Sequence, residues 1–315
     1  MTADVSVVSA GPVIVLSPPR SFSTVVAAML GQHPELFGLP ETQLFMAETI
    51  GEWWDASATA TFPMTHGLLR AVAEVVFGGQ TAESVSRAVG WLSRRWPMTT
   101  GLILETLADN VAPRRLVEKS PSTVFQSESM NRANRMFPDA HFIHLIRHPR
   151  GYGESVMKHI EASAAQSVQP QWLLDLAYDH TGMAPPLLDP QHSWLRLHNN
   201  ILKFLADVPA ERQHRVRGED AVTSPQSTLA EIARWLGIRD DEVAIEEMLH
   251  PERSVFSRLG PPGAAYGNDL WFLMNPTLRP ESGLPRFLDG PLPWREDGTT
   301  FFPEVRELAA EFGYG

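Results

Sequence analysis

Two short segments of the sequence could bind anions, and each includes or directly follows the end of an apolar run. The first, residues 17–24 (SPPRSFST), combines a permanent positive charge on Arg20 with hydroxyl donors on Ser21, Ser23 and Thr24. N–H groups at the start of a helix lack partners within it and carry partial positive charge, so this turn could hold a phosphate. A cluster of helix-capping residues beside a surface arginine is the alternative interpretation.

The second segment covers residues 143–155. Arg147 ends an apolar run, and Ser155 follows eight residues later, at the start of a predicted helix. A guanidinium and a hydroxyl placed in this way could bind one phosphate group. The alternative is that Arg147 or Arg150 is only solvated at the end of a strand.

Alternating strand and helix patterns are predicted to position these segments. The runs at 13–16 and 142–146 are typical of strands buried on both faces. Helices are predicted at 25–30, closed by Gly31, within the Trp- and Ala-rich stretch 43–110, and at 224–237. The Pro- and Gly-rich tail after residue 260 is expected to be mostly loop. Because no linker interrupts the pattern, we expect a single domain over residues 1–315.

Composition narrows the possible partners and compartment. The chain has 26 basic and 37 acidic residues, a net charge of -11, which disfavours nucleic acid and anionic membranes as partners. Cysteine is absent, so disulfides, thiolate nucleophiles and cysteine-based metal sites are excluded. No apolar run approaches the roughly 18 residues of a membrane span. We expect a soluble, cytoplasmic protein.

The sequence lacks the signals of a kinase and of a metal site. No G-x-x-x-x-G-K-[ST] loop is present, and the run at 142–146 ends in Arg147 where a Mg-ATP enzyme would need a carboxylate. The histidines are dispersed, so no bound metal is expected.

Both anion segments resemble motifs of sulfotransferases that use 3′-phosphoadenosine 5′-phosphosulfate (PAPS). Residues 19–24 are similar to the 5′-phosphosulfate loop, P-R/K-S-G-T-T, with Phe22 where glycine is common. Residues 143–155 are similar to the 3′-phosphate motif, a strand followed by R-D-P-R and a later serine, with His148 in place of the aspartate. The resemblance implies that these segments bind the donor through Pro19, Arg20, Ser21, Phe22, Ser23, Thr24, Arg147 and Ser155.

Three further segments resemble the same family. Residues 117–122 (VEKSPS) are similar to E-K-T/S-P-S, in which the lysine lies near the sulfuryl group. Residues 216–238 are similar to the V-R-Y-E-D…P…L…L-G-L block, with Gly218 replacing the tyrosine, and residues 258–263 to a loop over the 3′-phosphate. By this resemblance Arg217 and Arg258 also bind the cofactor, while Arg20 and Lys119 stabilise the charge of the leaving phosphate.

A hydroxyl acceptor must lose its proton as it attacks, so a base is needed. Residues 33–41 resemble the H-P-x-x-x-x-x-x-E segment of sulfotransferases with a carboxylate base, which makes Glu41 the candidate and His66 the second choice. The alternative for Glu41 is a carboxylate that starts a helix.

The resemblance implies an α/β fold with a P-loop-like central parallel sheet flanked by helices on both faces. It implies sulfuryl transfer from PAPS, without a metal, to a hydroxyl acceptor, leaving 3′,5′-ADP. Residues 34–45 are most similar to sulfotransferase domains of polyketide synthases, which sulfate the β-hydroxyl of an acyl chain on a carrier protein. A free alcohol or phenol is the alternative acceptor. The rival functions are a P-loop kinase and a non-catalytic nucleotide-binding module, which would not need Glu41 and Lys119 together.

Overall fold

A five-stranded parallel sheet forms the centre of the fold. The computed structural model describes residues 11–58, 60, 63–165, 188–278 and 287–315. The strands are β1 (Val13–Leu16), β2 (Leu36–Gly38), β3 (Arg115–Glu118), β4 (His141–Ile146) and β5 (Gln213–Arg217), in the spatial order β2-β3-β1-β4-β5. Along the two longest pairings, Leu16 lies beside His144, and Ile146 lies beside Arg217.

Helices connect the strands. Within the described ranges they are α1 (Ser23–Leu30), α2 (Ile50–Ala58), α3 (Thr65–Phe77), α4 (Ala82–Ser93), α5 (Thr100–Val111), α6 (Ser127–Met136), α7 (Pro149–Ala165), α8 (Gln191–Leu205), α9 (Gly218–Thr223), α10 (Pro225–Leu236), α11 (Glu242–Met248), α12 (Leu270–Met274) and α13 (Pro303–Glu311). Short 3-10 turns lie at Leu44–Met46, Pro121–Val124, Ala210–Arg212 and Pro251–Arg253. None of the helices in these ranges is both long enough and apolar enough to cross a membrane.

The sheet separates two apolar cores, one on each face. In β1, Ile14 and Leu16 belong to the larger core, with side chains of α2 to α8 and α13, whereas Val13 and Val15 belong to the smaller one, with α1, α10 and α11. Successive side chains of a strand point to opposite faces, so a strand covered on both sides needs apolar residues at every position. This is why 13–16 is a continuous apolar run.

The predicted α/β architecture is confirmed, and the predicted elements lie close to their expected bounds. Residues 13–16 form β1, the second predicted strand begins one residue earlier at His141, and the first helix begins at Ser23. The predicted helix at 224–237 is α10, which has Pro225 in its first turn and ends before Gly237, whose φ is 68°. The stretch 43–110 is helical as predicted, and the tail after residue 260 contains α12 and α13 among its described residues.

The strand order determines where a ligand can lie. β1 occupies the middle of the sheet, and the chain reaches β2 and β3 on one side of it before it crosses to β4 and β5 on the other. The segments that follow β1, β3 and β4 therefore leave the same edge of the sheet at the point where the direction of winding reverses. Parallel sheets of this type bind ligands in that crevice.

A buried pair of histidines joins β4 to α8. His144 Nε2 lies 2.9 Å from His198 Nδ1, and the ring of Phe312 packs against both. Burial, assisted by the charge of nearby Arg215, lowers the pKa of His198 from 6.5 to about 3, and burial likewise lowers the pKa of His144 well below 6.5. Both imidazoles are therefore neutral near pH 7.

We predict that this pair makes the protein sensitive to acid. The unfolded chain binds protons as the pH falls through 6.5 but the folded chain does not, so stability falls below that pH. At pH 5.5 each histidine lowers the free energy of unfolding by about 1.4 kcal/mol relative to pH 7.5. In urea unfolding at the two pH values, His144→Leu/His198→Leu should lose less stability on acidification than the wild-type protein, by up to about 3 kcal/mol. An unchanged pH dependence in the double variant would contradict the prediction.

Candidate active site

The loop between β1 and α1 has the backbone of an anion-binding turn. Two of its non-glycine residues have left-handed backbones, Arg20 with φ 67° and Phe22 with φ 62°. Each costs on the order of 1–2 kcal/mol, and such strain is concentrated at functional sites. No side chain caps the start of α1, and the buried Ser21 hydroxyl has no hydrogen-bond partner within the described part of the chain. Helix N–H groups and a buried hydroxyl thus remain available to a ligand.

Lys119 connects this loop to Glu41. It is the first residue after β3, and its side chain is only 3% exposed. Its ammonium donates to Thr24 Oγ1 at 2.9 Å and forms an ion pair with Oε1 of Glu41. The structure therefore brings together three residues that the sequence predicted for the site.

The backbone of Glu41 is held from two sides by glycines. Its N–H donates to the carbonyl of Gly267 at 2.7 Å, while Gly67, in the first turn of α3, lies against its carbonyl. A Cβ at position 67 would lie 1.9 Å from that carbonyl oxygen, so no other residue fits there without a backbone shift. His66 is thereby placed close to the Glu41 backbone.

Arg20 is the centre of a second polar group. Its guanidinium forms an ion pair with Asp269 and lies 3.4 Å from the hydroxyl of Ser155 on α7. Its carbonyl accepts a hydrogen bond of 2.6 Å from Nη1 of Arg147, which follows β4. The two segments predicted to bind anions therefore contact each other at Arg20.

The pKa values of two carboxyl groups around the site are shifted in opposite directions. Burial opposes ionisation of Asp269, but the Arg20 charge and the N–H of Phe272 outweigh it and hold the pKa of Asp269 below its usual value. Glu118, at the end of β3, is fully buried, and burial raises its pKa to about 7 despite hydrogen bonds from Ser120 and Thr42. Thr42 follows Glu41 and Ser120 follows Lys119, and both donate to Glu118. This carboxyl group therefore joins the two segments that carry Glu41 and Lys119.

Three further predicted residues, His66, Arg217 and Arg258, have other surroundings. His66 Nδ1 accepts from the N–H of Tyr266, and the two rings are stacked. Burial, together with the charge of Arg70, lowers the pKa of His66.

The two arginines predicted to bind the cofactor differ in their contacts. Arg217 forms a two-bond ion pair with Asp220 and donates to the Gly313 carbonyl, while Arg258 is exposed.

Two residues of the cluster were not predicted from the sequence. Asp269 accepts from the N–H of Phe272 and so caps α12, a signature that could have located the helix start but not the partner Arg20. His159 accepts from the indole N–H of Trp271, and Arg20 and Asp269 are close enough to influence its pKa, which burial lowers. Its spacing of four residues from Ser155 on α7 was the available signal.

Three cationic side chains and two carboxylates thus lie at the edge of the sheet where the strands have their C-terminal ends. Arg20, Lys119 and Arg147 can bind anionic oxygens, and the start of α1, which no side chain in the described ranges caps, adds N–H donors. Glu41 can accept a proton next to Lys119. This set of groups suits transfer of an anionic group to an acceptor that loses a proton.

Solved structures show the same fold. A sulfotransferase domain from the curacin biosynthetic pathway is 22% identical, covers 97% of this chain and 98% of its own, and has a TM-score of 0.70. A sulfotransferase domain from the olefin synthase of Synechococcus PCC 7002 is 24% identical, covers 97% of this chain and 95% of its own, and has a TM-score of 0.69. No curated protein sequence matches the chain.

A sequence model of one family covers most of the chain. The model of the Sulfotransferase family matches residues 12–242, which extend from the residue before β1 to the start of α11 and include both anion segments, Glu41 and Lys119. The resemblance found in the sequence is therefore confirmed, and the chain belongs to the sulfotransferase family.

Proposed function

We propose that this chain, as a single sulfotransferase domain over residues 1–315, transfers a sulfuryl group from PAPS to a hydroxyl acceptor and releases 3′,5′-ADP. The observation that carries the proposal is the start of α1, next to Arg20, where Lys119 donates to Thr24. Among the described residues no side chain caps this helix start and the buried Ser21 hydroxyl has no hydrogen-bond partner. Anionic groups bind in such surroundings.

The donor would be bound at both of its charged ends. Residues 19–24 would hold the 5′-phosphosulfate through backbone N–H groups, Arg20 and the hydroxyls of the loop. Arg147 and Ser155 would hold the 3′-phosphate, and their contacts with Arg20 support two phosphate sites that lie next to each other. Arg217 and Arg258 are proposed as additional cofactor contacts.

In the reaction, the acceptor oxygen bonds to sulfur as the bond from sulfur to the 5′-phosphate oxygen breaks, and the electron pair of that bond goes to the phosphate. Arg20 and Lys119 stabilise the charge that grows on this oxygen. For this they must turn from Asp269 and Glu41, their present partners, toward the donor.

Glu41 is the proposed base and accepts the proton of the acceptor hydroxyl. It lies beside Lys119, whereas the Nδ1 atom of His66 already accepts a hydrogen bond from the N–H of Tyr266. Lys119 orients the carboxylate before the acceptor arrives. The geometry therefore favours Glu41 over His66.

The proposed acceptor is the β-hydroxyl of an acyl chain on a carrier protein. Two observations support it. The two similar sulfotransferase domains described above come from the curacin biosynthetic pathway and from an olefin synthase. In addition, α12, which follows Asp269, exposes Leu270, Trp271 and Met274. An exposed apolar surface beside the site suits an acyl chain. A free alcohol or phenol is the alternative acceptor.

We predict that the chain binds 3′,5′-ADP more tightly than 5′-AMP, because the two ligands differ only in the 3′-phosphate. Loss of a charge-assisted contact costs about 1.5–3 kcal/mol, so Arg147→Ala should weaken 3′,5′-ADP binding roughly tenfold to over a hundredfold in calorimetry. Arg150→Ala is the matched control, since Arg150 bonds to the carbonyls of Asp289 and Pro291. Equal wild-type affinity for the two nucleotides would rule out the 3′-phosphate site.

We predict that Glu41→Gln slows sulfuryl transfer while donor binding is retained. The amide keeps the size of the side chain but cannot take the proton, so the single-turnover rate should fall by about 10²–10⁴. The 3′,5′-ADP affinity should change by less than about threefold, because the amide oxygen of glutamine can still accept a hydrogen bond from Lys119. The assay uses PAPS with a β-hydroxyacyl carrier and, separately, with simple alcohols. If Glu41→Gln remains within a few-fold of wild type and His66→Ala is inactive, His66 is the base.

We predict that turnover needs no divalent metal, because Arg20 and Lys119 supply the positive charge at the leaving oxygen. Treatment with EDTA should leave the rate unchanged, and added Mg²⁺ should not raise it. Loss of activity in EDTA with recovery in Mg²⁺ would instead support the kinase alternative.

A further inference from the structure

Phe22 is an unusual residue for the position that it occupies. It is the last residue before α1, its backbone is left-handed with φ 62° and ψ 7°, and its side chain makes no capping hydrogen bond. A large side chain is strained in this conformation, whereas glycine adopts it freely. Strain of this kind persists only where the surroundings hold the residue in place.

The ring of Phe22 supports the guanidinium of Arg147. The Cζ atom of Arg147 lies 4.1 Å from the ring centroid, well within the range of a cation–π interaction. Nη1 of the same guanidinium donates to the Arg20 carbonyl at 2.6 Å, and the residue is only 9% exposed. The ring and the carbonyl therefore both help to hold the guanidinium where it lies.

The ring has room because residue 218 is a glycine. A Cβ at Gly218 would lie 2.6 Å from Cδ2 of Phe22 and within 3.3 Å of the carbonyl oxygens of Ser21 and Ile146. Gly218 is fixed in place, because it directly follows β5, whose last residue pairs with the last residue of β4. Phe22 and Gly218 are two of the positions at which the sequence departs from the family pattern, and they are in contact.

We propose that Phe22 is a positioning residue for Arg147, and that Gly218 provides the space that its ring requires. This inference rests on the proposed binding of the 3′-phosphate by Arg147. The ring keeps the guanidinium oriented for that phosphate, so Phe22 sets the preference for nucleotides that carry a 3′-phosphate. If Phe22 only packed in the core beside α1, its substitution would weaken the binding of all adenine nucleotides equally.

The test is calorimetry of Phe22→Leu with 3′,5′-ADP and 5′-AMP. Leucine keeps an apolar side chain and the same backbone demand but removes the ring. A cation–π contact of this kind corresponds to about three- to thirtyfold in affinity, so 3′,5′-ADP binding should weaken by that factor while 5′-AMP binding changes by less than about twofold. Phe22→Tyr, which retains the ring, should behave as wild type.

Two further variants sharpen the result. Gly218→Ala should also weaken 3′,5′-ADP binding, but its effect should shrink when it is combined with Phe22→Ala, which removes the Cδ2 atom that the new Cβ would meet. Phe37→Leu is the matched control, since the Arg114 guanidinium lies 4.7 Å from the Phe37 ring in the same type of contact. It should change neither affinity. Thermal unfolding checks that each variant is folded.

The outcomes separate the two hypotheses. If the wild-type protein prefers 3′,5′-ADP and Phe22→Leu weakens the binding of both nucleotides by the same factor, the positioning role is wrong. The assignment of the 3′-phosphate site is then unaffected. A wild-type protein that binds both nucleotides equally overturns the 3′-phosphate site itself, and the role of Phe22 with it. A selective loss in Phe22→Leu that Phe22→Tyr does not show supports the inference.

Discussion

The ion pair between Lys119 and Glu41 is the contact on which the rest of the site depends. It joins the end of β3 to the segment after β2, and the bond from Lys119 to Thr24 adds the start of α1. A charged amine that is 3% exposed needs a partner, and breaking such a pair typically costs 3–5 kcal/mol. The pair therefore holds three segments, distant along the chain, in one arrangement before any ligand binds.

The positions of the main elements could be predicted because their signals are local. The strand at 13–16 is apolar at every position, and α10 has both a proline at its start and a glycine at its end. The meeting of Thr24, Lys119 and Glu41 follows from parallel strands that end at one edge, combined with the family resemblance. The short strands β2, β3 and β5 were not predicted, since three residues, or four or five with polar ones among them, give little periodic signal.

Contacts between distant residues could not be predicted from the sequence. Asp269 is 249 positions from Arg20, and no local pattern indicates which cation it faces. Phe22 and Gly218 each look like an isolated departure from a motif, and only the packing of α1 against the end of β5 shows that one accommodates the other. His148 likewise replaces an aspartate without an obvious reason in the sequence. In the structure it is buried, with its ring against Tyr314 and a pKa lowered by burial to about 4.

The pairing of Arg20 with Asp269 and of Lys119 with Glu41 also has a kinetic consequence. Two of the three cations are already balanced by carboxylates, so beyond a Debye length of about 8–10 Å the site presents little net positive potential. A polyanionic donor that approaches a protein of net charge -11 is thus repelled at long range and attracted only on contact. Dissolved salt screens that repulsion, so moderate ionic strength should speed the encounter, opposite to its effect on proteins that draw anions in through a basic surface.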